Sequence, residues 1–420
     1  MIRYTPGKNS PLRSSETNPK VDIATIKNHS LFKLLERAAS EVPLCFSIES
    51  EGDEIRLGSG EDNFRIRLAP GFNPPASLSE FALGKAYVEG SYEIEGDMLA
   101  MLELREHLAG KSNWLIQLGF LRDLFVRGSR AINRKSIAKH YTFGDEFYLH
   151  FIDEAYRFYS HCLFHDDNES LEKAAEHKLE TMFKGLCLKP GMRLLDIGAG
   201  WGGVHEYCGP REIHVTSVTL TEDSKNYSTA LIERMGLENC RVLVQDFLEY
   251  EPDEPYDAVV IYGVIEHIPY YRKFTRKVWD CLAPGGRIYL DASATLEKYD
   301  MNDFTRHYIW PGTHTFLCLQ DMIQEFLFNG FEVVESIRET RDYELTMWHW
   351  ASRFDAKREE IVAQYGEELF RAFRLYLWAG CHAFRVNELQ AYHIIAERRE
   401  DPGPRPGVFR RGYHFLRSLV

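Results

Sequence analysis

At 420 residues the chain is longer than a single hydrophobic core usually serves, so length alone predicts two domains or one domain with a large appendage. An apolar share of 44% with 27% charged side chains is a globular composition, and a net charge of -13 argues against nucleic acid, whose phosphates need a cationic footprint. The cysteines, scattered singly from Cys45 to Cys381, predict neither a disulfide framework nor a metal site, and without an apolar leader or spanning run the expected location is a reducing cytoplasm.

In chain order, residues 1–20 are rich in Ser, Pro, Asn and Lys and read as a flexible tail. Leu31, Leu34 and Leu35 recur at helical spacing, and alternating segments follow at 44–48, 54–57 and 64–68 before a Pro/Gly turn at 70–75. With a further helix near 98–108 these predict a small N-terminal α+β domain over residues 21–115. A basic run comes next: Arg122, Arg127, Arg130, Arg134, Lys135 and Lys139, interleaved with Leu121, Leu124, Phe125 and Ile132. Two readings stand for it, a peripheral contact with an anionic bilayer surface and a solvated helix face beside a linker.

From Met192 the pattern becomes strand then helix, repeatedly. Short apolar runs at 193–197, 214–220, 241–245, 258–262 and 287–290 have strand length, with helical stretches near 222–236 and 271–282. Such alternation predicts βαβ units and a parallel sheet with helices on both faces. Segments 331–337 and 391–396 are placed to close that sheet. Between them, residues 343–388 read as a helical insertion dense in aromatic side chains, from Trp348 to Phe384.

Chemistry gathers at the ends of these strands. Asp196-Ile-Gly198-Ala-Gly200 puts glycines where a strand must turn tightly into a helix and let a ligand touch backbone. The plainer alternative is a structural strand-to-helix turn. Asp246, before Phe247, ends the third strand and suits either a cofactor contact or a loop cap. The fourth strand runs into Ile265-Glu266-His267, where Glu266 reads as a base or as a capping or salt-bridge acid.

Taken together, these motifs resemble the cyclopropane-fatty-acid synthase family of S-adenosylmethionine (SAM)-dependent methyltransferases. The resemblance is carried by His140-Tyr141-Thr-Phe-Gly144-Asp145, Tyr159-Ser160, the run from Lys189 to Gly203, Val218-Thr219-Leu220-Thr221, Ile265-Glu266-His267, Tyr308-Ile309-Trp310-Pro311-Gly312 and the late Trp350 and Phe384-Arg385. Residues 82–97 resemble the smaller N-terminal domain of bacterial members. The family implies a Rossmann-like class I methyltransferase sheet of seven strands over 191–420, with 116–190 as a helical linker and active-site cover. It implies SAM contacts at Tyr141, Tyr159, Ser160, Asp196, Gly198, Gly200, Thr219, Leu220, Lys225, Asp246, Phe247 and Ile265.

The implied reaction is attack of an unsaturated acyl chain, held in a phospholipid or as a fatty acyl group, on the sulfonium methyl of SAM. The resulting carbocation needs aromatic shielding, and the insertion is expected to wall an acyl tunnel. The alternatives are another lipid-like unsaturated molecule, on the way to branched or furan fatty acids, and a catalytically silent lipid- or SAM-binding homologue. A soluble enzyme peripheral on the inner membrane follows, with a homodimer as a candidate assembly.

Several positions depart from the family. His161 stands where cysteine is usual, Asp291-Ala-Ser293 replaces a His-x-Ile pair, Ala199 replaces a cysteine and Lys225 a glutamine, while Glu266 and Tyr308 stand as expected. An aspartate beside Glu266 is expected to repel the bicarbonate that serves the family as base. The catalytic set expected here is therefore Glu266, Tyr308, Asp291 and His161. Either one of Asp291, Glu266 and His161 acts as base, or the cation resolves to a methylated or methylene chain.

Overall fold

A computed structural model describes residues 29–75, 77–105, 144–310, 314–401 and 403. The expected tail over 1–20, the basic run 122–139 and Tyr141 lie outside the described residues. The chain divides into two compact units, Met1–Lys111 and Ser112–Val420.

The first unit starts with helix α1 (Ser30–Glu41), whose N-terminus is capped by the His29 ring. Strands β1 (Phe46–Ser50) and β2 (Asp53–Leu57) form an antiparallel hairpin that turns at Glu51 and Gly52, both at positive φ, the geometry that matches strand twist. Strand β3 (Phe64–Leu68) runs parallel to β1, and Phe46 stacks on Phe64 at 4.7 Å across that pair. Helix α2 (Glu80–Val88), strand β4 (Tyr92–Gly96) and helix α3 (Met98–Glu103) complete the unit, with sheet order β2-β1-β3-β4. Ser79 and Asp97 cap α2 and α3 through their side-chain oxygens, satisfying N–H groups the helices cannot. Apolar side chains of α1 and the strands form its core.

The second unit holds helices α4 (Asp145–Leu149) and α5 (Leu171–Gly185), then strand β5 (Arg193–Ile197), helix α6 (Gly203–Cys208), strand β6 (His214–Thr219), helix α7 (Glu222–Met235) and strand β7 (Cys240–Val244). Strand β8 (Tyr256–Tyr262), helix α8 (Tyr271–Cys281), strand β9 (Leu282–Ala294), helix α9 (Leu319–Phe328) and strand β10 (Phe331–Arg338) follow. Three helices, α10 (Thr340–Ala356), α11 (Arg358–Tyr365) and α12 (Glu367–Arg385), lie between β10 and strand β11 (Gln390–Arg398).

The seven strands lie in the order β10-β11-β9-β8-β5-β6-β7, with β11 antiparallel to both of its neighbours and the run from β9 to β7 parallel. The chain winds outward from β5 to one side and from β8 to the other. The crevice between those strands at their carboxyl ends is where an open α/β sheet binds ligands. Alternation on β9 separates the two faces: Ile288, Leu290 and Ala292 pack with α8 and α9 in the main core, whereas Tyr289 and Asp291 turn toward α5. All eight cysteines are free, and Cys187 alone is exposed.

Candidate active site

The glycine turn sits at the switch point. Gly198 follows β5 at φ +103°, and a Cβ there would lie 2.6 Å from Val264 Cγ2, so only glycine fits. Around Gly200 the space is open, leaving backbone accessible to a ligand. Asp196 does not reach that space. Its buried Oδ2 accepts from Ser217 Oγ at 2.6 Å, and the same hydroxyl lies 2.8 Å from His205 Nε2. Burial pushes Asp196 up to about 7 and His205 down to about 4. The aspartate thus supports the turn from inside the sheet.

Around this turn, Leu220 is 47% exposed beyond β6, Thr219 is buried, and Lys225 is a surface residue 3.8 Å from Glu222. Asp246 caps the following turn through the Leu248 N–H at 2.9 Å, and Phe247 and Ile265 are core residues. An open glycine backbone, an exposed apolar side chain and a half-buried acid at the carboxyl edge of parallel strands fit SAM. Gly198, Gly200, Leu220 and Asp246 would hold it.

Next to the turn lies a sealed polar cluster. Glu266 Oε1 accepts from the N–H and the Oγ of Ser293 at 3.1 and 2.9 Å, and its Oε2 is buried without a partner. Burial pushes its carboxyl up to about 7. Asp291 is not the uncompensated charge expected beside it. Lys178, buried on α5, places Nζ 2.7 Å from Asp291 Oδ2 and donates to Ser160 Oγ at 2.7 Å and the His161 carbonyl at 2.5 Å. The Gly263 N–H serves the other oxygen of Asp291 at 2.9 Å. Lys178 thus offsets much of the charge of Asp291, which still adds to the rise of Glu266. A bicarbonate ion still does not fit: the Lys178 ammonium and both Ser293 donors are already taken.

His161 is buried in a second network. Its Nε2 lies 2.7 Å from Glu339 Oε2, and Glu339 Oε1 lies 2.5 Å from His393 Nδ1. Against the upward push of burial, these two histidines hold Glu339 at about 2. Glu339 and Glu335 raise His393 despite its desolvation. The aromatic partner of His161 is Tyr343, stacked at 4.7 Å. Its hydroxyl, raised well above its usual value by burial, is within electrostatic reach of Glu266 and Asp291. Tyr308, also expected in the catalytic set, packs on Phe304 at 4.9 Å.

Rings connect the glycine turn to these acids. Trp201 packs on Tyr148 at 5.8 Å, Tyr148 on Tyr159 at 4.9 Å, and Tyr159 stacks on Trp350 at 5.2 Å. Burial raises the Tyr376 hydroxyl, which lies within reach of Trp310, Tyr159 and Glu266. Other aromatics of the insertion behave as core, Phe354 stacking on Phe370 at 5.0 Å and Phe373 lying 4.6 Å from Phe147, whereas Trp348 is exposed.

Among the described residues one group has metal-ligand composition, His165, Glu169 and His177, with ligating atoms within 4.8 Å. The two imidazoles stack face to face at 3.7 Å with planes 16° apart. Lone pairs in near-parallel ring planes do not converge on one ion, so the group is a stacked pair beside an acid.

Sequence reasoning missed Lys178, Glu339, Tyr343 and His393. The lysine had a readable signal: Leu171, Ala174, Ala175, Lys178, Leu179 and Met182 share one helical stripe, which places the lysine on the buried face. The others come together across sequence separations that no local pattern spans.

Comparison with known proteins gives this site a family. The model of the mycolic acid cyclopropane synthetase family matches residues 129–394. Cyclopropane-fatty-acyl-phospholipid synthase of Escherichia coli strain K12 is 28% identical over 362 residues, covering 83% of this chain and 91% of that protein. Sphingolipid C9-methyltransferase of Komagataella phaffii is 26% identical over 345 residues, covering 76% of this chain and 70% of its own. The structure of cyclopropane synthase MmaA2 from Mycobacterium tuberculosis superposes with a TM-score of 0.59 at 24% identity, over 63% of this chain and 98% of that one, which shows the shared fold. The chain belongs to the mycolic acid cyclopropane synthetase family of SAM-dependent methyltransferases.

Proposed function

We propose that the protein methylates the double bond of an unsaturated acyl chain in a phospholipid, giving a cyclopropane or methyl-branched product. The observation that carries this reading is the line of rings Trp201, Tyr148, Tyr159, Trp350 and Trp310, which runs from the glycine turn to His267, the neighbour of Glu266. Bound SAM supplies an electrophilic methyl group, and its transfer to an alkene leaves positive charge on the neighbouring carbon. Aromatic faces stabilise such a charge and exclude the water that would quench it. Glu266 adds a buried carboxyl whose second oxygen is uncommitted. Lys178, sealed against Asp291, holds the Tyr159-Ser160-His161 loop in place through Ser160 and the His161 carbonyl.

The two relatives support the same class of substrate with different outcomes, one named for a cyclopropane fatty acyl phospholipid and one for C9 methylation of a sphingolipid. A peripheral contact with the inner membrane belongs to this reading. No described helix is long and apolar enough to cross a bilayer. Mass spectrometry of lipids from cells expressing the chain tests the proposal: monounsaturated acyl chains gain one CH2, and hydrogenation then separates ring from branch. Unchanged lipids in cells that make folded protein contradict it.

A further inference from the structure

If an alkene is methylated here, closing a ring releases one proton for every methyl delivered, so this inference rests on the reading above. We propose that Glu266 takes that proton on its own Oε2 and that the reaction runs without bicarbonate.

The glycine turn and the rings place this carboxylate. Strand β8 leaves the sheet through Gly263 and Val264, and Val264 Cγ2 is the atom that a Cβ on Gly198 would strike at 2.6 Å. A Cβ on Gly263 would lie 2.9 Å from Ser160 Cβ, so the segment is wedged between the cofactor turn and the loop that carries Tyr159. Glu266 follows two residues after Val264, in the short turn Ile265–His267. His267 packs on Trp310 at 5.2 Å and Trp310 on Tyr159 at 6.2 Å, which sets the turn at the end of the line of rings. The groups facing the carboxyl are Asp291 on β9, Tyr271 on α8, Tyr343 on α10 and Tyr376 on α12. Ser293 ties down Oε1 at 3.1 and 2.9 Å and leaves Oε2 sealed and unpartnered, a rare condition for a buried oxygen.

Bicarbonate beside Glu266 would need donors that the protein has already committed. Both Ser293 donors serve Glu266, and Lys178 Nζ serves Asp291, Ser160 and the His161 carbonyl. The His161 Nε2 lies against Glu339 at 2.7 Å. A further anion would also add to the charge of Asp291, which already raises Glu266. Glu266 meets the chemical demand unaided. Burial pushes its carboxyl up to about 7, so near neutral pH it is substantially ionised and a stronger base than an exposed glutamate.

In the step itself a C–H bond of the transferred methyl breaks, and its electron pair forms the carbon–carbon bond that closes the ring at the cationic carbon. The proton bonds to a lone pair of Glu266 Oε2, and the neutral acid returns it to water as product leaves. One proton leaves per methyl, and no oxidant or reductant is required.

The test assays the purified full-length chain with SAM and vesicles of a monounsaturated phosphatidylglycerol, in buffer freed of carbon dioxide and again with bicarbonate added. The wild-type kcat is expected to differ by less than about threefold between the two, and a larger rise on adding bicarbonate overturns the proposal. This arm requires no variant to fold. Glu266→Gln is expected to lower kcat about 100-fold, the usual share of a general base, with S-adenosylhomocysteine affinity unchanged. Glu266→Ala leaves room for a small acid, so added formate restores part of its rate. A Glu266→Gln enzyme within about threefold of wild type overturns the proposal, and a Glu266→Ala enzyme that ignores formate does the same by assigning Glu266 a structural part. In each of these cases wild-type methylation continues and the functional reading stands. If the wild type leaves unsaturated lipid untouched with and without bicarbonate, that reading falls and this one with it.

Discussion

Lys178 Nζ lies 2.7 Å from Asp291 Oδ2, with both side chains sealed from solvent. The lysine also faces the rings of Tyr262 and Phe158, at 4.4 and 5.0 Å, so its charge is stabilised on every side. The pair fixes α5 to the end of β9 and, through Ser160, holds the loop that presents Tyr159 and His161.

Breaking one side of such a pair leaves an unpaired charge in the interior. Lys178→Met and Asp291→Asn are each expected to lose about 3–5 kcal/mol of stability. The double variant recovers most of that loss, because no charge remains buried. Denaturant unfolding of the three variants measures the coupling, and additive single effects would exclude a functional pair.

Glu266 predicts a pH slope. Its carboxyl is pushed up from 4.5 to about 7, so across that window the folded chain keeps a proton that the unfolded chain has released. Its contribution to stability therefore falls as pH rises from about 4.5 to 7. Glu266→Gln removes that part of the slope and is expected to be more stable than wild type above about pH 7, by up to about 3 kcal/mol. Asp196, raised in the same direction, keeps its own share in the variant. Unfolding curves of both proteins at pH 5 and 8 check the sign; an equal difference at both contradicts the burial of an uncompensated acid.

Gly198→Ala places a methyl 2.6 Å from Val264 Cγ2 at a φ that alanine avoids. The strain, about 1–3 kcal/mol, falls on the cofactor turn. Calorimetric titration with S-adenosylhomocysteine is expected to show at least about tenfold weaker binding in a folded variant. Unchanged affinity would remove the turn from the cofactor site.

Trp350→Leu keeps an apolar side chain and removes the ring stacked on Tyr159. A lost aromatic face of about 1–2 kcal/mol lowers methyl transfer roughly 5- to 30-fold, with cofactor affinity unchanged. Hydroxylated acyl by-products, from water reaching the cation, are expected in the same assay. Wild-type rates without by-products would assign Trp350 to the core alone.

The sheet was legible because each strand carries a short apolar run between turn signals, and β5 to β11 all fall where the pattern puts them. In the first unit, α2 and β4 were not separable as elements. The nine residues of α2 are nearly all apolar or small apart from Glu80 and Lys85, and the five of β4 alternate too briefly, so neither period stands out. The glycine turn was legible for a local reason, the need for positive φ at Gly198. The polar interior was not. Asp291 looked like a second bare acid because its counter-ion is 113 positions earlier, on a helix where lysine usually faces water. His161 looked like a replaced cysteine because Glu339 and His393 reach it only after the sheet closes.

The most direct test of the acyl-methylation reading is the product formed from a defined lipid. Vesicles of a monounsaturated phosphatidylglycerol and of its saturated counterpart are each incubated with purified protein and SAM, and acyl masses are read by mass spectrometry. The expected result is one added CH2 on the unsaturated chain, none on the saturated one, and one S-adenosylhomocysteine formed per product. An unsaturated chain left unchanged by folded, SAM-binding protein would contradict the account.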